Sequence, residues 1–271
     1  MTVLAAVAPA RATPSFTNGS FETLNGETTD FAINYFGSGV NVLPGWTATP
    51  TGTTGSGASN VLDCLIIGTK GNTDLCGSGA SAPFTPAVGA GMNFWPGTFQ
   101  TAKDGANYVM IDADPTFETA LTQSVSSLVI GHSYQISFFQ ATAQQNTFSF
   151  VGNDANTTNN GLACGATGLL ARCIDFTVGF GSSTHASPNM VLNNHSSTAW
   201  VQQTMTFVAT ATTQTLSFLA VADVPANSGM PPIALLDGIT LTDVTPTPEP
   251  GTFALLGLGL VAIPLLLRYR R

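Results

Sequence analysis

The stretch His132-Ser-Tyr-Gln-Ile-Ser-Phe-Phe-Gln-Ala-Thr-Ala143 sets Tyr134, Ile136 and Phe138 against Gln135 and Ser137. Large apolar side chains at every second position turn one face to a core and the other to water, the signature of a half-buried strand. The same period returns where Val201, Gln203, Met205 and Phe207 alternate with Gln202, Thr204 and Thr206. Further runs of this kind, rich in Thr, Phe and Val, occupy 107–112, 118–125, 173–180, 198–210, 214–222 and 232–244. No helical pattern precedes residue 251. Stretches of small polar residues at 47–60, 77–91, 144–168 and 181–194 read as long loops, and none divides the chain in two. Many short strands with turn residues between them predict an all-β fold, a jelly-roll or β-sandwich domain over 13–244.

Composition narrows the function classes. Charged residues make up only 8% of the 271 positions, against about 25% in an average soluble protein. Between residues 13 and 250 only Lys70, Lys103 and Arg172 face all fifteen acidic residues, a net charge of −12. A surface this acidic argues against nucleic acid, whose phosphates need Lys and Arg. It is compatible with cations and neutral sugars.

The C-terminus decides the compartment. After the proline-spaced Thr245-Pro-Thr-Pro-Glu-Pro250 come the seventeen uncharged residues 251–267, then Arg268, Arg270 and Arg271. As a helix the run would be about 26 Å long, at the short end of what crosses a bilayer. It has no polar face, so it is not an amphipathic core helix. Trailing arginines keep that end cytoplasmic and place the preceding domain outside. A plain membrane anchor is one reading. The other is a sorting signal: Pro248-Glu249-Pro250, a glycine-punctuated apolar segment and a terminal arginine cluster resemble the PEP-CTERM tail of exopolysaccharide-producing Gram-negative bacteria. That resemblance implies recognition and cleavage near the Pro-Glu-Pro by an exosortase-type membrane enzyme. Pro248, Glu249, Pro250 and the three arginines would then serve processing. The precursor would sit in the inner membrane and the product at the cell surface or outside. At the other end, residues 1–12, with Ala10-Arg11-Ala12, read as the remnant of a signal peptide lacking its basic start and full apolar core.

For an exported chain, Cys64 with Cys76 and Cys164 with Cys173 read as two loop-closing disulfides, although four cysteines allow three pairings. Their spacings do not match zinc-ligand pairs.

Three short segments, Phe16-Thr-Asn-Gly-Ser-Phe-Glu22, Leu43-Pro-Gly-Trp46 and Leu235-Leu-Asp-Gly-Ile239, together resemble the galactose-binding-like jelly roll of many carbohydrate-binding modules. The long insertions depart from its compact form. The resemblance implies that Glu22 and Asp237 join backbone carbonyls around a structural Ca2+. The residues themselves point the same way for Asp237. It follows Ile233 and Leu235 and precedes Ile239 and Leu241 at every second position, so a lone carboxylate would share an aliphatic face. Burying it unpaired is expensive, and a hard cation is one remedy. The alternative is that the strand ends or bulges there and the carboxylate meets water.

Other candidates carry less. Asp104 and Asn107 precede Tyr108, and Asp112 with Asp114 share a face that a cation or sugar could use, or form an acidic turn before Pro115. Trp95, in the loop-like Asn93-Phe-Trp-Pro-Gly97, is the ligand-facing aromatic; Trp46 and Trp200 read as core. His132, His185 and His195 lie apart, with no metal-ligand spacing, and read as exposed loop residues. The sequence contains no Gly-x-Ser-x-Gly elbow. The expected function is therefore non-catalytic: an exported surface or matrix protein that binds carbohydrate or serves structurally in exopolysaccharide. A secreted carbohydrate-active enzyme is the alternative.

Overall fold

The computed structural model describes residues 13–24, 31–32, 43–50, 63–67, 94, 97, 100–113, 119–144, 172–193, 196–222 and 232–246. Twelve strands run β1 (Phe31–Ala32), β2 (Thr47–Pro50), β3 (Asp63–Ile67), β4 (Asn107–Asp112), β5 (Thr119–Val125), β6 (Ser133–Gln144), β7 (Arg172–Phe180), β8 (Ser183–Ala186), β9 (Met190–Leu192), β10 (Val201–Val208), β11 (Gln214–Ala222) and β12 (Pro232–Asp243). Every pairing is antiparallel. One sheet is ordered β1-β3-β4-β12-β6-β10, the other β2-β5-β11-β7-β8, with β9 also on β7. The domain is an all-β sandwich, and no helix occurs among the described residues. The expected helix over 251–267 lies outside them.

Alternation drives the layering. On β6, Tyr134, Ile136 and Phe138 are fully buried while Gln135, Ser137 and Phe139 are partly exposed. On β11, Leu216, Phe218 and Ala220 are buried and Thr215 is exposed. The sheets meet over an aromatic centre in which Phe138, Phe176 and Phe218 pack edge to face at 5.1–6.2 Å. Trp46 joins it from the side, with Phe16, Phe21 and Phe218 at 5.7–6.3 Å between ring centres. The second sheet's outward face is a polar row, in which Thr47, Thr122, Ser217, Gly179 and Thr184 stand in register across five strands.

Five strands fall where no strand is expected from the sequence. β2 opens the stretch read as a loop at 47–60, and it forms because Trp46 and Ala48 alternate into the core. β8 and β9 lie within the supposed loop 181–194. They are one path along β7, which turns at Gly181 (φ +64°) and breaks at Pro188. Ser187 bridges the break, its N–H donating to Phe176 O (2.8 Å) and its Oγ accepting from Phe176 N (2.9 Å).

One correction concerns β12. Its register against β6 shifts between Asp237 and Thr240, at Gly238 with φ +57°. A bulge of this kind adds one residue and reverses the facing of everything beyond it. Ile239 therefore joins the inter-sheet core and Leu241 packs against it, whereas Ile233 and Leu235 do not belong to that core. The expected five-residue aliphatic face does not exist. The bulge alternative is right about the backbone, but Asp237 is 0% exposed and does not meet water.

Candidate functional site

The three short segments meet in space. Asn18, at φ +53°, donates through Nδ2 to Thr23 O (2.9 Å) and Pro44 O (3.1 Å), and its Oδ1 accepts from Thr23 N (2.9 Å). Its carbonyl accepts the indole N–H of Trp46 at 2.9 Å. Gly19 O accepts from Ile239 N, at the bulge, at 2.9 Å. A Cβ at Gly19 would run into the Ile239 carbonyl, so glycine is required there by close approach.

Beside this joint, Glu22 and Asp237 converge on one loop, Lys103–Asn107. Asp237 Oδ2 accepts from Lys103 N (2.6 Å) and Asp104 N (2.8 Å), and Oδ1 accepts from Gly238 N (2.7 Å). Glu22 Oε1 accepts from Ala106 N (2.8 Å) and Asn107 N (2.7 Å), and Oε2 from Asn107 Nδ2 (3.3 Å). Gly105, at φ +82°, passes so close to Glu22 that a Cβ would strike its carboxylate. Burial pushes the Asp237 carboxyl up to about 7, and its three amide hydrogen bonds only partly offset that.

Glu22 and Asp237, singled out in the sequence, thus come together on one loop. Each carboxylate accepts from N–H groups of this loop, whose partial positive charges face it. No three of His, Cys, Asp and Glu come together among the described residues.

The same loop region covers the outward face of the first sheet. Trp200 donates from Nε1 to Thr101 O (2.9 Å) and lies edge-on to Tyr108 at 5.7 Å. Gln100 Nε2 donates to Ser197 Oγ (2.7 Å), and the Lys103 ammonium sits 5.4 Å from the Phe139 ring centre. Trp46 is core as expected, but Trp200 is outside the inter-sheet core. Asp112 is buried at the end of β4, so it is not an open sugar contact.

Of the described histidines, His185 is exposed as expected but sits on a strand, and His132 departs from expectation. His132 is half-buried, with Nδ1 2.8 Å from Asp243 Oδ2. His185 lies on β8, stacked 4.5 Å from Phe207. Asp243 further accepts from Thr245 N (2.9 Å), while Thr245 Oγ1 accepts from Ser133 N (2.8 Å) and Val244 N donates to Ser133 O (2.8 Å). These bonds latch the last strand to the start of β6. Burial raises the Asp243 carboxyl, but the bonds from His132 and Thr245 outweigh it and bring the group to about 2. A depressed folded value contributes stability that is present above about pH 4 and lost as pH falls toward 2. His132→Ala is expected to cost about 1–2 kcal/mol and to move the acid-unfolding midpoint to higher pH. Superimposable acid limbs for variant and wild type, followed by circular dichroism, would contradict this.

Cys173, on β7, is buried and disulfide-bonded. Cys76, Cys164, the Cys64 side chain, Asp114, His195, Trp95 and all of Pro248, Glu249, Pro250, Arg268, Arg270 and Arg271 lie outside the described residues.

Residues 246–271 match the PEP-CTERM protein-sorting motif. No curated protein matches the chain. Among solved structures it is similar to a family 61 carbohydrate-binding module in complex with β-1,4-galactotriose, at 10% identity and TM-score 0.35 over 73% of this chain and 88% of that one. A family 4 carbohydrate-binding module matches at 13% identity and TM-score 0.34, over 84% and 99%. The xylan-binding domain of a Paenibacillus barcinonensis protein matches at 14% identity and TM-score 0.28, over 57% and 81%.

Proposed function

We propose that this chain is a non-catalytic component of the cell surface or extracellular polysaccharide matrix, delivered by processing of its PEP-CTERM tail and contacting carbohydrate there. The observation that carries the reading is the sorting motif at 246–271, which starts directly after the latched Thr245. The motif marks the protein as exported to the surface or medium. In this reading a membrane exosortase cuts near Pro248-Glu249-Pro250, and Arg268, Arg270 and Arg271 hold the apolar segment 251–267 in the inner membrane until then. Binding rather than turnover is supported by what the described polar groups do: Glu22 and Asp237 hold a loop, and His132 closes a latch. Trp95 is the proposed sugar-stacking residue, since an aromatic face suits a pyranose ring and Asn93-Phe-Trp-Pro-Gly97 reads as a loop in the sequence.

Mass spectrometry of the C-terminus of the protein from its native host tests the sorting step. A terminus close to residues 248–250 is expected, and an intact Arg271 on the surface-located product would refute it. Retention of that product by host exopolysaccharide, weakened in Trp95→Ala, tests binding. Depolymerisation of the same polysaccharide would favour the enzyme alternative.

Two further assignments belong to the proposal. Cys173 pairs with Cys164 and Cys64 with Cys76, which peptide mapping without reduction checks. Glu22 and Asp237 hold a structural Ca2+, supported by the convergence of two carboxylates on one loop. The thermal midpoint of the protein is then expected to rise with Ca2+ and fall with EDTA. An unchanged midpoint would leave the amide cradle as the sole counter-charge and remove the ion.

A further inference from the structure

β12 is the last strand of the domain and also an inner one. It lies between β4 and β6, and its final residues lead into the tail at 246–271. Any pull on that tail therefore enters the fold along β12. Ladder hydrogen bonds run perpendicular to antiparallel strands, so a lengthwise pull strains them together, whereas peeling breaks them one at a time. β12 offers ten paired residues to β6 and four to β4.

A uniform ladder can still yield by sliding two residues, since every side chain then keeps its face. The bulge at Asp237-Gly238 removes that path. A slip of two toward the tail would carry Asp237 from its three amide donors into the place of Ile239, which belongs to the inter-sheet core. It would also bring Leu236 into the place of Gly238. The backbone there has φ +57°, and a Cβ would lie 2.9 Å from the Phe139 ring and 3.2 Å from Asp104 Cβ. A slip of one turns every side chain to the opposite face. The first segment braces the same point, with Ile239 N donating to Gly19 O at 2.9 Å.

We propose that β12 is a tension strand: the Asp237-Gly238 bulge fixes its register, so that the domain withstands a pull delivered through its C-terminus. The inference rests on the tail being the point of attachment, as in the function proposed above, and adds a mechanical role to it. The N-terminal segment is the contrast. Ser15 makes a single bridge to Ser126, and residues 16–22 belong to no strand. A pull applied there peels.

An ATP-driven ring unfoldase, recruited by a tag at either end of the full chain in non-ionic detergent, tests this. A dye at Tyr269 times the passage of the tail, and loss of buried-tryptophan fluorescence then times unfolding. The wild type is expected to unfold more slowly from the C-terminal tag than from the N-terminal one. Deleting Gly238 sets Ile239 opposite Phe138 and keeps Thr240 opposite Ser137, which preserves every facing in a plain ladder. The deletion should speed C-terminal unfolding about tenfold, the equivalent of roughly one hydrogen bond. N-terminal unfolding should change only in step with the urea midpoint. Equal acceleration from both ends would make the bulge an ordinary stabilising feature and overturn the proposal, as would a wild type that yields equally fast from either tag. Should the deletion not fold, Asp237→Asn is read the same way. Neither result depends on processing, whose failure shows separately as an intact Arg271 on the surface product.

Discussion

Replacing Asp237 with alanine is expected to destabilise the domain by about 3–5 kcal/mol, because the N–H groups of Lys103, Asp104 and Gly238 lose their acceptor together. Urea unfolding at pH 5 measures it. Asp237→Asn separates charge from hydrogen bonding. The folded carboxyl titrates at about 7, against an ordinary 3.8. Between those values the folded state holds a proton that the unfolded chain has released. A raised carboxyl thus contributes stability that is full below about pH 4 and lost as pH rises through 7, up to roughly 4 kcal/mol. The wild type should therefore weaken across that interval relative to Asp237→Asn, in which this contribution is absent. Parallel pH profiles would show that the amide cradle fully offsets the burial of the charge.

Trp46→Ala is expected to be as damaging, about 3–5 kcal/mol. The indole is 0% exposed, touches Phe16, Phe21 and Phe218, and donates to Asn18 O. Its removal opens a cavity and takes from that carbonyl the shorter of its two donors, leaving only Phe21 N at 3.3 Å. It also withdraws packing from Phe21, a non-glycine residue at φ +61°. Against a typical total of about 5–15 kcal/mol, such a loss takes much of the domain's stability. Trp46→Phe keeps most of the volume and should lose clearly less. Equal urea midpoints for the alanine variant and wild type would show that the three segments do not depend on this contact.

The long strands were legible because each buries enough side chains to print a period on the sequence. The runs at 107–112 and 214–222 coincide with β4 and β11, and those around β5, β6, β7 and β12 differ by one residue at an end or two. β1, β2, β3, β8 and β9 have two to five residues each, too few for a period; a neighbour's edge defines them. The candidate site shows the same division. Glu22 and Asp237 could be singled out by carboxylate chemistry and by resemblance. Their hydrogen-bond partners are mostly main-chain amides of 103–107 and 238, which no side-chain motif announces. Gly105 and the Asp237-Gly238 pair were the available signals for the tight loop and the bulge. His132 was misread because its partner, Asp243, is 111 residues away in sequence.

The fastening of residues 243–245 to the beginning of β6 also sets the length of a leash. From Thr245 to Gly251, six residues span at most about 20 Å when fully extended. In the proposed precursor the folded body would then ride almost on the lipid headgroups, with the turn around His132 as its underside. A processing enzyme would have to cut in that narrow gap, on a substrate whose freedom to swing away is set by a handful of prolines and threonines.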